Sequence, residues 1–146
     1  MNLSKFQERL SELLFEKETN PPALAKELGC NRSTLNRYLF GSRMPSVEFV
    51  IRLADNFNCT TDFILGLEDE NRSQEFLPVP PFKDRFPVVL EHFGVTRYRL
   101  AKDAEISESC IYTWQRGGKF PSLDSVVKIA EYLDCSVDFL LGRSKE

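Results

Sequence analysis

The stretch LAKELGCNRSTLNRYLFGSRMPS, residues 24–46, contains two short helical apolar patterns separated by a glycine. Leu24, Ala25 and Leu28 are spaced as in a helix of about two turns, which Gly29 can end in the left-handed conformation. A second helix is predicted to follow, because an asparagine suited to a helix N-cap precedes the next apolar stripe. Two short helices joined by a glycine turn are typical of a helix-turn-helix, although other helical bundles also contain such pairs.

The same pattern occurs twice in the chain. Residues 6–66 align with residues 82–142 at a constant offset of 76 without a gap, and 17 of the 61 aligned positions are identical. A period of that length suits a small domain with its own core. The returning stretch, LAKDAEISESCIYTWQRGGKFPS at residues 100–122, keeps the apolar spacing and changes most polar residues of the second helix.

One helix is predicted before the motif in each copy, and two after it. Pro-Ser at residues 45–46 and 121–122 places a capping serine ahead of a long apolar stripe, and a last short helix follows Thr60 or Ser136. The fold class is therefore predicted to be all-α. We expect a five-helix domain 1 at residues 1–67, a linker at residues 68–81 and a five-helix domain 2 at residues 82–146. Near the end of the linker Phe76, Leu77 and Val79 stand among three prolines, so we expect this segment to pack against one or both domains.

Composition narrows the function classes. The chain has 146 residues and lacks the run of about 18 apolar residues that a bilayer span requires, and its start carries acids unlike a signal peptide. We therefore expect a cytoplasmic protein with no membrane partner. Cys59 and Cys135 occupy equivalent positions and are interpreted as small core residues in a reducing compartment. The single histidine, His92, lies near a predicted helix end, so no metal, cofactor or catalytic residue is expected.

The net charge is -3, but basic and acidic residues are concentrated in different segments of the chain. Residues 20–47 carry four basic residues against one acidic, a local +3, whereas residues 48–75 carry two against seven, a local -5. Residues 96–123 carry five against three, a local +2. Each motif is thus basic, and the acidic total does not exclude a nucleic-acid partner.

Both copies resemble the phage-repressor and Cro family, also called the Xre family. Its pattern runs roughly L-A-x-x-l-G-v-s-x-s-x-I-s-x-w-E-x-G-x-x-x-P-s and continues through an amphipathic helix to s-x-D-x-L-l-G. This sequence follows it over residues 24–46 and 60–66, and again over 100–122 and 136–142. The resemblance covers about 122 of the 146 residues. It implies two tandem lambda-repressor-like domains, sequence-specific binding of double-stranded DNA and a role in transcription regulation.

Three departures from the family pattern bear on the fold or on DNA contacts. Pro21 replaces the glutamine usual at the start of the first motif helix, which removes one phosphate contact but suits a first helical turn. Leu39 replaces the glutamate that usually follows the aromatic residue. In the second copy Glu105 replaces the turn glycine, so it must adopt the left-handed conformation, at roughly 1 kcal/mol, or alter the turn.

In domain 1 the face opposite Leu35 and Tyr38 is predicted to read DNA. Arginine can donate two hydrogen bonds to a guanine edge, and asparagine pairs with an adenine edge. The predicted base contacts are Arg32, Ser33, Asn36 and Arg37, beside the outward Phe40. The predicted phosphate contacts are Asn20, Lys26 and Arg43. An ordinary solvated face is the alternative for the exposed arginines.

In domain 2 the equivalent face has a different chemistry. The predicted base contacts are Ser109, Tyr112 and Thr113. The predicted phosphate contacts are Thr96, Arg97, Arg99, Arg116 and Lys119. Glu108 is expected to repel nearby phosphates more than it pairs with cytosine, whereas Trp114 matches the family's aromatic residue and is predicted to pack in the core.

Two functions from different classes fit these features. The leading hypothesis is a sequence-specific transcription regulator of Xre type, whose two unequal domains replace the halves of a dimer and read an asymmetric site. The alternative is a protein-interaction or antitoxin-like module on the same scaffold, with weak or no DNA binding. Its partner, a second copy of the chain or another protein, would bind through domain 2 or the linker. An enzyme is not expected.

Overall fold

The computed structural model describes residues 2–72, 74–117 and 119–145, which form ten α-helices and no strand. The chain divides into two compact units, Met1–Ser73 and Gln74–Glu146. The first contains α1 Leu3–Glu16, α2 Pro21–Leu28, α3 Arg32–Phe40, α4 Val47–Phe57 and α5 Thr61–Ile64. The second contains α6 Phe82–Phe93, α7 Arg97–Asp103, α8 Glu108–Arg116, α9 Leu123–Leu133 and α10 Val137–Leu141. The predicted all-α class with five helices in each copy is confirmed. No helix in the described residues is both long and apolar enough to cross a membrane.

All five helices of each unit contribute to one core. In the first unit the apolar residues with no exposed surface are Phe6, Leu10, Leu24, Leu35, Leu53, Ala54 and Ile64. In the second unit Trp114 lies edge-on to the rings of Phe82 and Phe86, with centroids 6.0 and 5.8 Å away. Trp114 is therefore a core residue, as predicted. Cys59 is buried as expected, but Cys135 is only half-buried.

The helix starts follow the predicted caps with one exception. The hydroxyls of Ser46, Thr60, Ser122 and Ser136 each accept from the backbone N–H three residues later, at 3.0–3.2 Å. Asn31 stands at the N-cap of α3, but its side chain makes no capping hydrogen bond. The boundary was thus predicted correctly and the cap chemistry was not.

The turn between the motif helices has a left-handed residue at the equivalent position in both copies. Gly29 ends α2 in the left-handed region at φ 67°, and Glu105 occupies that region at φ 55°. Of the two outcomes open for Glu105, the chain therefore keeps the turn and accepts the unfavourable conformation. The Lys128 ammonium group lies 3.5 Å from the carbonyl oxygen of Glu105, at the limit of a hydrogen bond.

The end of α3 is fixed by a close backbone approach. A Cβ on Gly41 would lie 2.5 Å from the carbonyl oxygen of Arg37, inside the contact limit for two such atoms. The amide of Gln7, on α1, donates to the carbonyl oxygens of Tyr38 at 2.9 Å and of Gly41 at 2.7 Å. Together these contacts fix α3 relative to α1, which determines the direction of its outward face.

Within the predicted linker, Glu68 is hydrogen-bonded within the first unit and Leu77 within the second. In the first unit Arg9 Nη1 donates to the carbonyl oxygen of Glu68 at 3.2 Å. In the second unit the Leu77 N–H donates to the carbonyl oxygen of Arg143 at 2.8 Å, and the Arg143 guanidinium lies 3.9 Å from the Phe76 ring centroid. Residues 76–77 therefore pack against a domain, as expected.

Candidate nucleic-acid interface

The outward face of α3 carries the predicted base contacts of domain 1. Leu35 has no exposed surface, and Tyr38 and Leu39 are buried, so this side of α3 faces the core. Arg32, Ser33 and Arg37 are exposed and Asn36 is half-exposed on the other side. Burial of Leu39 also shows why an apolar side chain is compatible with the position where the family pattern has glutamate.

The basic side chains around α3 have no acidic partners within the described part of the chain. No described carboxylate oxygen lies within 4.0 Å of Lys26, Arg32, Arg37 or Arg43, and all four residues are exposed. Their positive charge is therefore available to an external anion. Because the loop before α4 carries Arg43 and α2 carries Lys26, positive charge lies on both sides of the α3 sequence.

The first turn of α2 provides a second kind of anion donor. Asn20 Oδ1 accepts from the backbone N–H of Ala23 at 2.9 Å, so Asn20 caps the helix. The Asn20 side chain is exposed, and its amide N–H groups can still donate outward. The helix start itself offers no free backbone donor, because Pro21 and Pro22 have no N–H and the Ala23 N–H is used by the cap.

The outward face of α8 is internally hydrogen-bonded. The Thr113 hydroxyl donates to the carbonyl oxygen of Ser109 at 2.9 Å, which uses its only proton. Arg116 Nη1 donates to the Tyr112 hydroxyl oxygen at 2.6 Å, and the Arg116 guanidinium carbon lies 5.0 Å from the Tyr112 ring centroid. Glu108 is exposed at the start of the helix. This face thus presents fewer unpaired donors than the face of α3.

A cleft of about 260 Å³ lies between α7 and α8. It is lined by Arg97, Tyr98, Glu108, Ile111, Tyr112 and Gln115. In the amide orientation that satisfies both groups, the Gln115 oxygen accepts from the Arg97 guanidinium, with Nη1 at 3.0 Å and Nη2 at 3.2 Å. Arg97, a predicted phosphate contact, is therefore held against α8.

Arg99 belongs to a polar network with α9. Its Nε donates to Asp103 Oδ2 at 3.2 Å, and the Tyr132 hydroxyl donates to the same oxygen at 2.8 Å. The Tyr132 hydrogen bond, followed by Arg99, lowers the pKa of Asp103 below its usual value. Of the other predicted phosphate contacts, Thr96 accepts from the Arg99 N–H as the N-cap of α7, and Lys119 is exposed.

Family models match both units separately. The model described as helix-turn-helix matches residues 23–64, and the model described as Cro/C1-type HTH DNA-binding domain matches residues 85–146. The chain belongs to the Cro/C1-type helix-turn-helix family. It carries two such domains in tandem, each built on the geometry described above.

Among curated proteins, the HTH-type transcriptional regulator AnsR of Bacillus subtilis is 38% identical to the chain over 66 residues. The alignment covers 45% of this chain and 57% of AnsR, so it spans little more than half of that relative. No solved structure matches the chain.

Two features of these Cro/C1-type domains were not among the predicted contacts. Gln115 is not one of the predicted contacts, although its position follows the aromatic residue, where the family pattern has a polar side chain. Phe40, predicted to face outward, is 76% exposed and lies next to the predicted base contacts of α3. The pairing of Tyr112 with Arg116 had a sequence signal, because residues four apart on a helix are neighbours.

Proposed function

We propose that the protein is a cytoplasmic, sequence-specific DNA-binding regulator of transcription that uses both helix-turn-helix domains. The observation that carries this proposal is the outward face of α3, where exposed Arg32 and Arg37 flank Asn36 and have no described acidic partner. Because both guanidinium groups are exposed and contact no described carboxylate, they can bind an external anion without giving up an internal partner. A duplex supplies that anion.

In domain 1, α3 enters the major groove with its first turns against the base edges. Arg32 donates to guanine O6 and N7, and Asn36 pairs with adenine N6 and N7. Ser33 and Arg37 contact adjacent base edges, with Arg37 also within reach of the backbone. Asn20, Lys26 and Arg43 bind phosphates, which contribute affinity but no sequence preference.

In domain 2, α8 occupies the major groove of a second half-site. Ser109, Tyr112 and Thr113 contact bases, while Thr96, Arg97, Arg99, Arg116 and Lys119 contact phosphates. Arg97 and Arg99 must exchange internal partners for phosphate, so we expect this domain to bind more weakly than domain 1. Half-sites on one side of a duplex are about 34 Å apart, and the tether raises the effective concentration of the second domain. Because the two faces differ, the site is asymmetric.

The test is a selection of binding sites by the full chain from a pool of randomised duplexes. We expect one asymmetric motif, bound roughly fivefold to 150-fold more weakly after Arg32→Ala or Asn36→Ala, because each substitution removes a base contact worth roughly 1–3 kcal/mol. Arg72→Ala is the matched control, since Arg72 is exposed in the same unit and lies outside the motif helices. Absence of any enriched sequence would rule out the proposal.

The internal pairing in domain 2 favours a second candidate, a protein-interaction or antitoxin-like module. Three of its arginines, Arg97, Arg99 and Arg116, already contact side chains of the same domain. Such a module would bind a partner protein, or a second copy of the chain, through domain 2 or the linker. Under this alternative, Arg32→Ala leaves partner binding intact and the duplex selection yields nothing.

A further inference from the structure

Tyr112 and Arg116 form an assembled pair on the outward face of α8. Arg116 Nη1 donates to the Tyr112 hydroxyl at 2.6 Å, and the guanidinium carbon lies 5.0 Å from the centre of the same ring. Two contacts at once restrict the rotation of the long arginine side chain. Tyr112 remains 55% exposed and Arg116 is exposed, so the pair is accessible from solvent.

The direction of this hydrogen bond determines which donors are left. The Tyr112 oxygen accepts from Arg116, and its own proton has no acceptor among the described residues. The guanidinium uses one of its five N–H groups in this bond and retains the other four. The pair therefore presents one O–H and several N–H donors side by side and no strong acceptor.

Adjacent donors match adjacent acceptors. In the major groove, guanine presents O6 and N7 next to each other, whereas adenine places a donor beside its N7 and cytosine presents a donor. On this basis, and resting on the proposed function, we propose that Tyr112 and Arg116 together read one guanine in the half-site of domain 2. Arg116 thereby acts on a base rather than on a phosphate.

The neighbouring side chains support this assignment. Thr113 has already used its proton on Ser109, and Glu108 can only accept. Tyr112 and Arg116 align with Asn36 and Phe40 of the first copy, so both lie on the same stripe as the base readers of α3. The bond also polarises the tyrosine hydroxyl, because a hydroxyl that accepts from a cation donates more strongly.

The experiment repeats the duplex selection with the full chain carrying Tyr112→Phe, Arg116→Gln or both. We expect the wild type to enrich a guanine at one position of the domain 2 half-site, and each single variant to reduce that preference roughly tenfold. The double variant should lose no more than a single one, because either change dismantles the pair. Replacing the guanine by 7-deazaguanine, which lacks the N7 acceptor, should weaken the wild type and leave Tyr112→Phe nearly unaffected.

The controls separate this proposal from the broader one. Tyr132→Phe removes a tyrosine hydroxyl on α9 of the same domain and should leave every base preference unchanged. Fluorescence of Trp114, the single tryptophan, verifies that each variant keeps the core of this unit. The proposal is wrong if the guanine preference survives both single variants, or if binding weakens equally at all sequences. It is also wrong if the double variant loses the product of the two single losses in guanine preference. A wild-type motif confined to domain 1 also overturns it, whereas the absence of any motif overturns the proposed function itself.

Discussion

Glu105 holds a side chain in a backbone conformation that Gly29 occupies in the first copy. Its φ of 55° lies in the left-handed region, where a residue with a Cβ is less stable by roughly 1–2 kcal/mol. We expect Glu105→Gly to raise the free energy of unfolding of the second unit by roughly 0.5–1 kcal/mol, since the greater freedom of glycine in the unfolded chain offsets part of the gain. Urea unfolding followed by Trp114 fluorescence measures this.

The reverse substitution in the first unit is the control. A Cβ on Gly29 would meet no atom within 4 Å, so Gly29→Ala tests the backbone conformation without a steric clash. We expect a loss of about 1 kcal/mol. Equal stability of the wild type and both variants would mean that the left-handed conformation costs nothing at this turn.

The sequence predicted which residues of the site face outward, but not what they contact. Leu35 and Ile111 define the buried side of each helix through periodicity alone, so the opposite side followed directly. The contact between Arg97 and Gln115 was not predictable, because it depends on side-chain rotamers and joins two different helices. Asn31 shows the same limit, since its position marks the helix start while its rotamer leaves the cap bond unmade.

At the scale of helices, each unit has a side-chain hydrogen bond between its second and fourth helices. The two bonds occupy equivalent positions of the repeat but are made by different residue types. Asn56 Nδ2 donates to Glu27 Oε2 at 3.0 Å in the first unit, and the Tyr132 hydroxyl donates to Asp103 Oδ2 at 2.8 Å in the second. The offset of 76 maps one pair onto the other. Alignment indicated these equivalent positions, but only the fold shows that they meet.

The bond between Asp103 and Tyr132 predicts a pH dependence. Because the pKa of Asp103 is lower in the folded than in the unfolded chain, the contact stabilises the fold above about pH 4 and is lost as pH falls through the folded pKa. Tyr132→Phe should therefore lose less stability than the wild type between about pH 6 and pH 3. The Trp114 unfolding midpoint at both pH values measures the difference. Glu131→Gln, at an exposed carboxylate on α9, should behave as the wild type does.

In each unit an arginine of the first helix bonds to the last helix of the same unit, and the two arginines occupy equivalent positions of the repeat. Arg85 donates through Nε and Nη2 to the carbonyl oxygen of Phe139 at 3.2 and 2.6 Å, and Arg9 donates to Phe63 at 2.6 Å. Arg85→Ala leaves that carbonyl without its charged donor, so we expect a loss of about 2 kcal/mol in the second unit. Arg85→Lys should recover only part of it, because a lysine cannot make the two-donor contact. An unchanged Trp114 unfolding curve for Arg85→Ala would contradict this role.

For the molecule as a whole, the net charge is -3 although the motif segments are basic, and the dependence of DNA binding on salt measures the effect of that local charge. Binding to the selected duplex should weaken steeply between about 50 and 200 mM salt, as counterions are released from each neutralised phosphate. Arg43→Ala should weaken binding equally at all sequences and reduce the slope of log K against log salt by about 0.9. Serine at position 46 offers a control, because Ser46→Thr keeps the cap hydroxyl and all charges. A slope unchanged by Arg43→Ala would remove Arg43 from the phosphate contacts.

The ungapped repeat also predicts that the outward faces of α3 and α8 are exchangeable. Both α3 and α8 are nine residues long, and each buries the equivalent side of the helix. Ser33 of α3 aligns with Ser109 of α8, so this outward position is already identical. The triple variant Glu108→Arg, Tyr112→Asn and Thr113→Arg therefore places the outward residues of α3 on α8 without touching Ile111 or Trp114. We expect the duplex selection to return two copies of the half-site that domain 1 reads, in place of one asymmetric motif. The buried residues are unchanged, so Trp114 fluorescence should match the wild type. If the variant still selects the original asymmetric motif, α8 does not read bases, and the second half-site must be assigned to another surface.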